Sequence, residues 1–188
     1  MNLSDRFREA LCCAAALHAD QRRKVSGVPY VAHLLGVAAI ALEYGADEDE
    51  AIAALLHDAI EDQGGAATRE EIRRRFGRKV VEIVDGCTDA DTTPKPPWRP
   101  RKEAYLRRLR GASASVRLVC GADKLHNVRS LTADYRLHGP TIWERFRGGR
   151  EGTLWYHRAV LDVLDQTDRT PLVEELDRAV CRLERLVS

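Results

Sequence analysis

The chain has 188 residues, of which 44% are apolar, and its 30 basic and 29 acidic side chains leave a formal net charge of +1. That length and apolar share fit one globular domain and exclude wholesale disorder. A near-neutral chain lacks the broad footprint expected of a duplex nucleic-acid binder, and no uninterrupted apolar run reaches membrane-spanning length. The five cysteines, Cys12, Cys13, Cys87, Cys120 and Cys181, form no C-x-x-C pair. Their odd number and scatter argue against a disulfide framework or a thiolate zinc site, so most are expected to be small core residues. Charged residues Asp5, Arg6, Arg8 and Glu9 interrupt any signal-peptide pattern, and a cytoplasmic location without membrane attachment is expected.

The periodicity is helical nearly throughout. Ser4 is the expected N-cap of a helix to about Ala19, with Phe7, Leu11, Ala14 and Leu17 inward. A turn at Gly27 to Tyr30 leads into a helix from about Val31 to Tyr44, closed by Gly45. Asp47 opens the next helix, which is expected to run as one piece through His57-Asp58 to Glu61-Asp62. Gly64-Gly65 breaks the chain, and Thr68-x-x-Glu71 predicts a capping box for a helix ending near Phe76-Gly77. Another helix is expected over about Lys79 to Cys87.

Four of the seven prolines fall between Pro94 and Pro100, so residues 88–100 are expected to be irregular. Helix resumes near Arg101 and, after Gly111, runs from Val116 to Leu131, with further helices near 141–147, 150–166 and 171–187. Alternating patterns are scarce, so no substantial sheet is expected. The Arg-rich pieces 73–75 and 107–110 are read as solvated helix faces. The expected architecture is all-α, a single domain over residues 1–188.

The segment AALLHDAIED, Ala53 to Asp62, is the most informative in the chain. An imidazole and three carboxylates follow an apolar run, with His57 and Glu61, and Asp58 and Asp62, each four apart on one helical face. Ionisable groups are costly to bury alone, and a divalent metal is one compensating partner. Two other segments carry matching candidates. His33 follows a Gly-x-Pro-Tyr turn, and Asp123 follows the apolar Val116 to Cys120. His33, His57, Asp58 and Asp123 would offer two nitrogens and at least two oxygens to a first-row divalent ion, without selecting among manganese, iron and zinc.

Taken together, Arg23-Lys24, Gly27-x-Pro-Tyr-x-x-His33, AALLHDAIED, Phe76 to Gly86 and Ala122-Asp-Lys-Leu-His-Asn127 resemble the HD-superfamily phosphohydrolases. More narrowly they resemble the small alarmone hydrolases, single-domain relatives of the hydrolase half of Rel/Spo enzymes. The likeness covers residues 7 to 165 or so. It implies an HD-domain helical bundle with a metal site in its core. It implies one Mn²⁺ held by His33, His57, Asp58 and Asp123, and an acid pair, Glu61 and Asp62, that positions water and moves protons. It also implies that Arg23 packs on a base, Lys24 meets phosphate and Asn127 lies against the sugar. The reaction implied is removal of the 3′-pyrophosphate from the alarmones ppGpp and pppGpp, giving GDP or GTP.

Adenosine analogues of the alarmone, or NADPH, are the alternative substrates, and a non-catalytic nucleotide sensor is the alternative class. The acid pair argues against the sensor, because binding alone does not need it. The partner expected is a small-molecule nucleotide, with homo-oligomerisation left open. Lys124 stands where the family usually has arginine, Gln63 where threonine is common, and Leu34 where proline often follows the first histidine. Trp143, Arg147, Arg150 and Trp155-Tyr156 are candidates to line the site.

Overall fold

The computed structural model describes residues 2–92 and 94–188; Met1 and Thr93, the latter inside the expected loop 88–100, lie outside them. Among the described residues the elements are α1 (Asp5–Leu17), α2 (Val31–Glu43), α3 (Glu48–Leu56), α4 (Ala59–Asp62), α5 (Ala66–Phe76), α6 (Arg78–Cys87), α7 (Trp98–Arg110), α8 (Ala114–His138), a 3₁₀ segment (Gly139–Arg145), α9 (Gly149–Thr167) and α10 (Pro171–Val187). They hold no strand beyond one isolated bridge between Arg22 and Pro29. The expected all-α class is therefore what the chain adopts.

Local chemistry sets most boundaries. The Ser4 hydroxyl accepts from the Arg6 amide at the start of α1, and Asp47 with Glu50 forms a reciprocal capping box at α3. Arg6 ties α1 to its neighbours by bonding Asp49 Oδ1 and the Phe76 carbonyl, each at 2.8 Å. Residues Ala51 to Leu56 are all buried, which makes α3 the central helix rather than a surface one. The long α8 crosses the bundle and packs on α2, α3, α6 and α10. In α10, Leu172, Val173, Leu176, Val180, Leu183 and Val187 form one buried stripe. At roughly 2 kcal/mol per buried aliphatic side chain, that stripe makes the C-terminal helix part of the core.

Several expectations need correction. The AALLHDAIED segment is not one helix: α3 ends at Leu56, His57 and Asp58 form a turn, and the short α4 starts at Ala59. Asp62 N–H still bonds the Asp58 carbonyl at 3.0 Å, so the i, i+4 relation survives across the break. Thr68 does not cap α5. It sits inside the helix, and its hydroxyl donates back to the Gln63 carbonyl. The α7 helix begins at Trp98, because Pro100 falls in the first turn, where a missing N–H costs no helical bond. The α8 helix continues to His138 and stops at Gly139-Pro140. The stretch near 141–147 is 3₁₀ rather than α. Cys13 and Cys120 are buried, Cys87 and Cys181 half-buried and Cys12 exposed, and all are free thiols. No helix among the described residues is long and apolar enough to cross a membrane.

Candidate active site and metal centre

Three segments bring four side chains to one buried point. The first turn of α2 brings His33, the turn after α3 brings His57 and Asp58, and the middle of α8 brings Asp123. His57 Nε2 lies 3.0 Å from Asp58 Oδ2 and 3.6 Å from Asp123 Oδ1. His33 Nε2 lies 3.3 Å from Asp123 Oδ1 and 3.7 Å from Asp58 Oδ2. Both Nε2 atoms are enclosed and lack a hydrogen-bond partner. An enclosed, unpaired nitrogen is costly, and two facing the same carboxylates are explained by a shared cation. His33, His57 and Asp58 form a potential metal cluster, with one ligand atom from each lying within 4.8 Å of the others.

The remaining ring nitrogens set the tautomers this donor set needs. His57 Nδ1 lies 2.8 Å from the Ala54 carbonyl, which only an N–H can satisfy, so the neutral ring carries its lone pair on Nε2. Burial lowers the pKa of this ring, but the Asp58 and Asp123 carboxylates outweigh it and raise it well above the usual imidazole value, so a proton and a metal compete for Nε2. His33 Nδ1 lies 2.9 Å from His126 Nδ1. Burial, with His33 beside it, pushes His126 down to about 4 and keeps it neutral. In this contact one ring donates and the other accepts; the arrangement in which His126 accepts puts the His33 proton on Nδ1 and leaves Nε2 bare, the form a metal ligand needs. Burial also pushes His33 down, against the pull of Asp123. His126 is held by close packing: a Cβ at Gly36 would fall 2.2 Å from its ring.

Asp58 and Asp123 are further oriented. The Tyr30 hydroxyl donates to Asp58 Oδ2 at 2.6 Å, and burial and that carboxylate keep it protonated. Asn127 Nδ2 donates to Asp123 Oδ1, and Lys124 Nζ holds Oδ2, each at 2.5 Å.

A cavity of about 650 Å³ opens over this point. Arg23, Lys24, Asp58, Glu61, Asp62, Asp123 and Asn127 all line it. Thus all nine residues singled out in the sequence fall at the cavity or directly beneath it, His33 and His57 being beneath. Arg23 Nη2 donates to Asn127 Oδ1 at 3.0 Å, so Asn127 bridges Arg23 to Asp123. Asp62 Oδ2 accepts from Gln21 at 2.8 Å.

Glu61 sits among cations that the sequence reading did not assign. Lys95 Nζ is 2.8 Å and Arg101 Nη1 3.4 Å from its Oε1, and the Asp89 amide donates at 3.3 Å. Burial and the Asp89 carboxylate nevertheless push Glu61 up. Asp89 itself is gripped by Arg101 and by Lys102 at 2.5 Å. Beyond these, Lys102 and Lys124 flank the Tyr156 ring at 4.5 and 5.4 Å, and His157 lines the same wall. Burial, with Lys124 beside it, pushes His157 down to about 3, so it is neutral. Of the later aromatic and basic candidates, Arg147 and Tyr156 line the cavity. Trp143 is in the core, Arg150 bonds the Val187 carbonyl, and Trp155 lies under the Arg99 guanidinium.

An all-α bundle that gathers two histidines and two aspartates from three helical segments under a cation-rich cavity defines an HD-type protein. The chain belongs to the HD domain family, whose model matches residues 10–154. It is 43% identical over 126 residues to the guanosine-3′,5′-bis(diphosphate) 3′-pyrophosphohydrolase of Xenopus tropicalis, covering 65% of this chain and 68% of that protein. It is 37% identical over 132 residues to the bifunctional (p)ppGpp synthase/hydrolase of Escherichia coli, of which the match spans 18%. A solved structure of a metazoan SpoT ortholog, described as hydrolysing ppGpp, superposes with a TM-score of 0.82 at 30% identity, over 100% of this chain and 99% of the other.

Proposed function

We propose that the chain is a Mn²⁺-dependent 3′-pyrophosphohydrolase of the guanosine alarmones ppGpp and pppGpp, acting as one 188-residue catalytic unit. The observation that carries this reading is the paired, partnerless Nε2 atoms of His33 and His57 facing Asp58 and Asp123 at the floor of a cavity that also holds an acid pair. The ion would be held by His33, His57, Asp58 and Asp123, and when bound it acidifies water and polarises a phosphoryl oxygen.

The chain's own residues divide the remaining work. Arg23 stacks on the purine, Asn127 contacts the sugar and Lys24 contacts phosphate. Lys102, Lys124 and Arg147 supply positive charge for the pyrophosphate. Glu61 takes the proton of the attacking water at a carboxylate oxygen, and Asp62 orients that water. Attack at the phosphorus nearest the ribose forms the new P–O bond and breaks the bond to the 3′-oxygen. That oxygen takes a proton from water in the open cavity and leaves as the free 3′-hydroxyl, Glu61 returns its proton to solvent, and pyrophosphate departs intact.

The test is a nucleotide panel with Mn²⁺, read by product chromatography. The guanosine alarmones should give GDP or GTP and intact pyrophosphate. Faster turnover of the adenosine analogues or NADPH would overturn the guanine assignment, and orthophosphate in the first turnover would overturn the bond assignment.

Arg23→Ala should raise KM about tenfold with kcat little changed, since losing one base-stacking contact removes roughly 1–3 kcal/mol of uniform binding. Steady-state kinetics on ppGpp checks this, and a fall confined to kcat would place Arg23 in the chemistry instead.

Gly36→Ala tests the His126 support. The added methyl meets the imidazole at 2.2 Å and must displace it, releasing His33 from its orienting partner. Metal affinity should weaken about 10- to 100-fold, the usual cost of losing such an outer contact. Titration of Mn²⁺ into the folded variant gives the answer; unchanged affinity would show that His126 does not set the His33 tautomer.

A further inference from the structure

A second charged cavity lies on the other side of α8. Arg129, Thr132, Ala133 and Arg136 of α8 face Glu175, Arg178, Ala179 and Arg182 of α10 across a groove of about 330 Å³. At ~100° per residue these α8 positions lie half a turn from Asp123, Lys124, Asn127 and Leu131, which line the catalytic cavity. The two sites therefore share a helix but not a face.

The groove is electrostatically unbalanced. It holds four guanidiniums and one carboxylate in a chain whose overall formal charge is only +1. Glu175 serves two of the four, at 3.1 Å from Arg129 and 2.9 Å from Arg178. Among the described residues Arg136 and Arg182 have neither an ion-pair partner nor a side-chain hydrogen bond, although both line the groove. Like charges converging from two helices repel, and an anion between them removes that repulsion. The floor offers only methyl groups and Thr132, whose hydroxyl is committed to the Val128 carbonyl at 2.8 Å. Nothing there reads a base or an amide, so recognition falls to the guanidiniums. Their planar forks match phosphate oxygens in pairs. The volume is at the lower end for a small-molecule site and suits one compact ligand rather than a duplex or a folded partner.

We propose that this groove binds a small polyphosphate, either inorganic pyrophosphate or the polyphosphate tail of a nucleotide, clamped between α8 and α10. The inference does not depend on which nucleotide the catalytic cavity hydrolyses, and its test needs no turnover.

Calorimetric titration of the full chain with pyrophosphate, and separately with GTP, should show two sites. The double variant Arg136→Ala/Arg182→Ala should keep the catalytic-cavity site and weaken the other at least tenfold, as expected when two charge-assisted contacts are lost. Neither arginine has a partner to lose and each repels its neighbours, so the variant should melt no lower than wild type; Arg182→Gln alone provides a milder second variant. Hydrogen exchange should slow over residues 129–136 and 175–182 on binding in wild type only. Two sites with pyrophosphate identify the phosphates as the ligand, whereas two sites with GTP alone identify a nucleotide tail. A single site unaffected by the double variant, or binding without protection of these two segments, overturns the proposal.

Discussion

His57→Ala is expected to abolish turnover and metal retention together, and Asp123→Ala to do the same at a greater cost in stability. Loss of an outer contact to a metal ligand typically costs 10- to 100-fold, so loss of a ligand should exceed ~100-fold in activity. The two variants differ in what they leave behind. His57→Ala removes a buried ring whose Nδ1 bonds the Ala54 carbonyl, leaving a cavity and one unpaired acceptor. Asp123→Ala strips Lys124 of the carboxylate 2.5 Å from its Nζ, with that side chain only 13% exposed. Breaking such a pair costs about 3–5 kcal/mol, because the remaining charge stays in place without a partner. Metal analysis of the purified variants, pyrophosphate release and a melting curve separate the effects. A His57→Ala protein that retains its divalent metal and turnover would refute the ligand assignment.

Much of this centre is legible in the sequence because ionisable groups inside apolar runs are conspicuous. His57-Asp58 follows six consecutive residues that prove to be buried, and Asp123 follows a similar run. The break between α3 and α4 is not legible, since nothing in Leu55-Leu56-His57-Asp58-Ala59 is a helix breaker; the turn is set by tertiary packing. Arg101 and Lys102 are hidden for a different reason. Prolines 94–100 read as irregular chain, yet Pro100 sits harmlessly in the first turn of α7, which points both cations inward at Asp89. His126 lies within a motif that carries the family likeness, but its role depends on Gly36 from another helix. Such a contact has no local signature. The α10 side of the arginine groove is equally invisible, because Arg178 and Arg182 meet Arg129 and Arg136 only after two distant helices pack.

Glu61→Gln should lower kcat by ~10²-fold or more while metal content and KM stay near wild type, because general-base catalysis typically contributes 10²–10⁴-fold. The isostere keeps the volume, and its amide oxygen can still accept from Lys95 and Arg101, which lie 2.8 and 3.4 Å from Oε1; only the 3.3 Å contact from the Asp89 amide to Oε2 is lost, so the cavity wall should hold its shape. What it loses is the ability to take a proton. Burial and the Asp89 carboxylate push the Glu61 carboxyl up, which makes its ionised form a stronger base than an exposed glutamate would be. The sign of the pH effect follows. The base works only when deprotonated, so wild-type kcat should rise with pH through the raised pKa and then level. In Glu61→Gln that acidic limb should vanish and leave a low, flatter profile. A purely structural glutamate would give the opposite pattern, with activity reduced but the limb preserved. A variant that loses its metal would instead place Glu61 among the ligands, and one with wild-type kcat would remove it from the chemistry altogether.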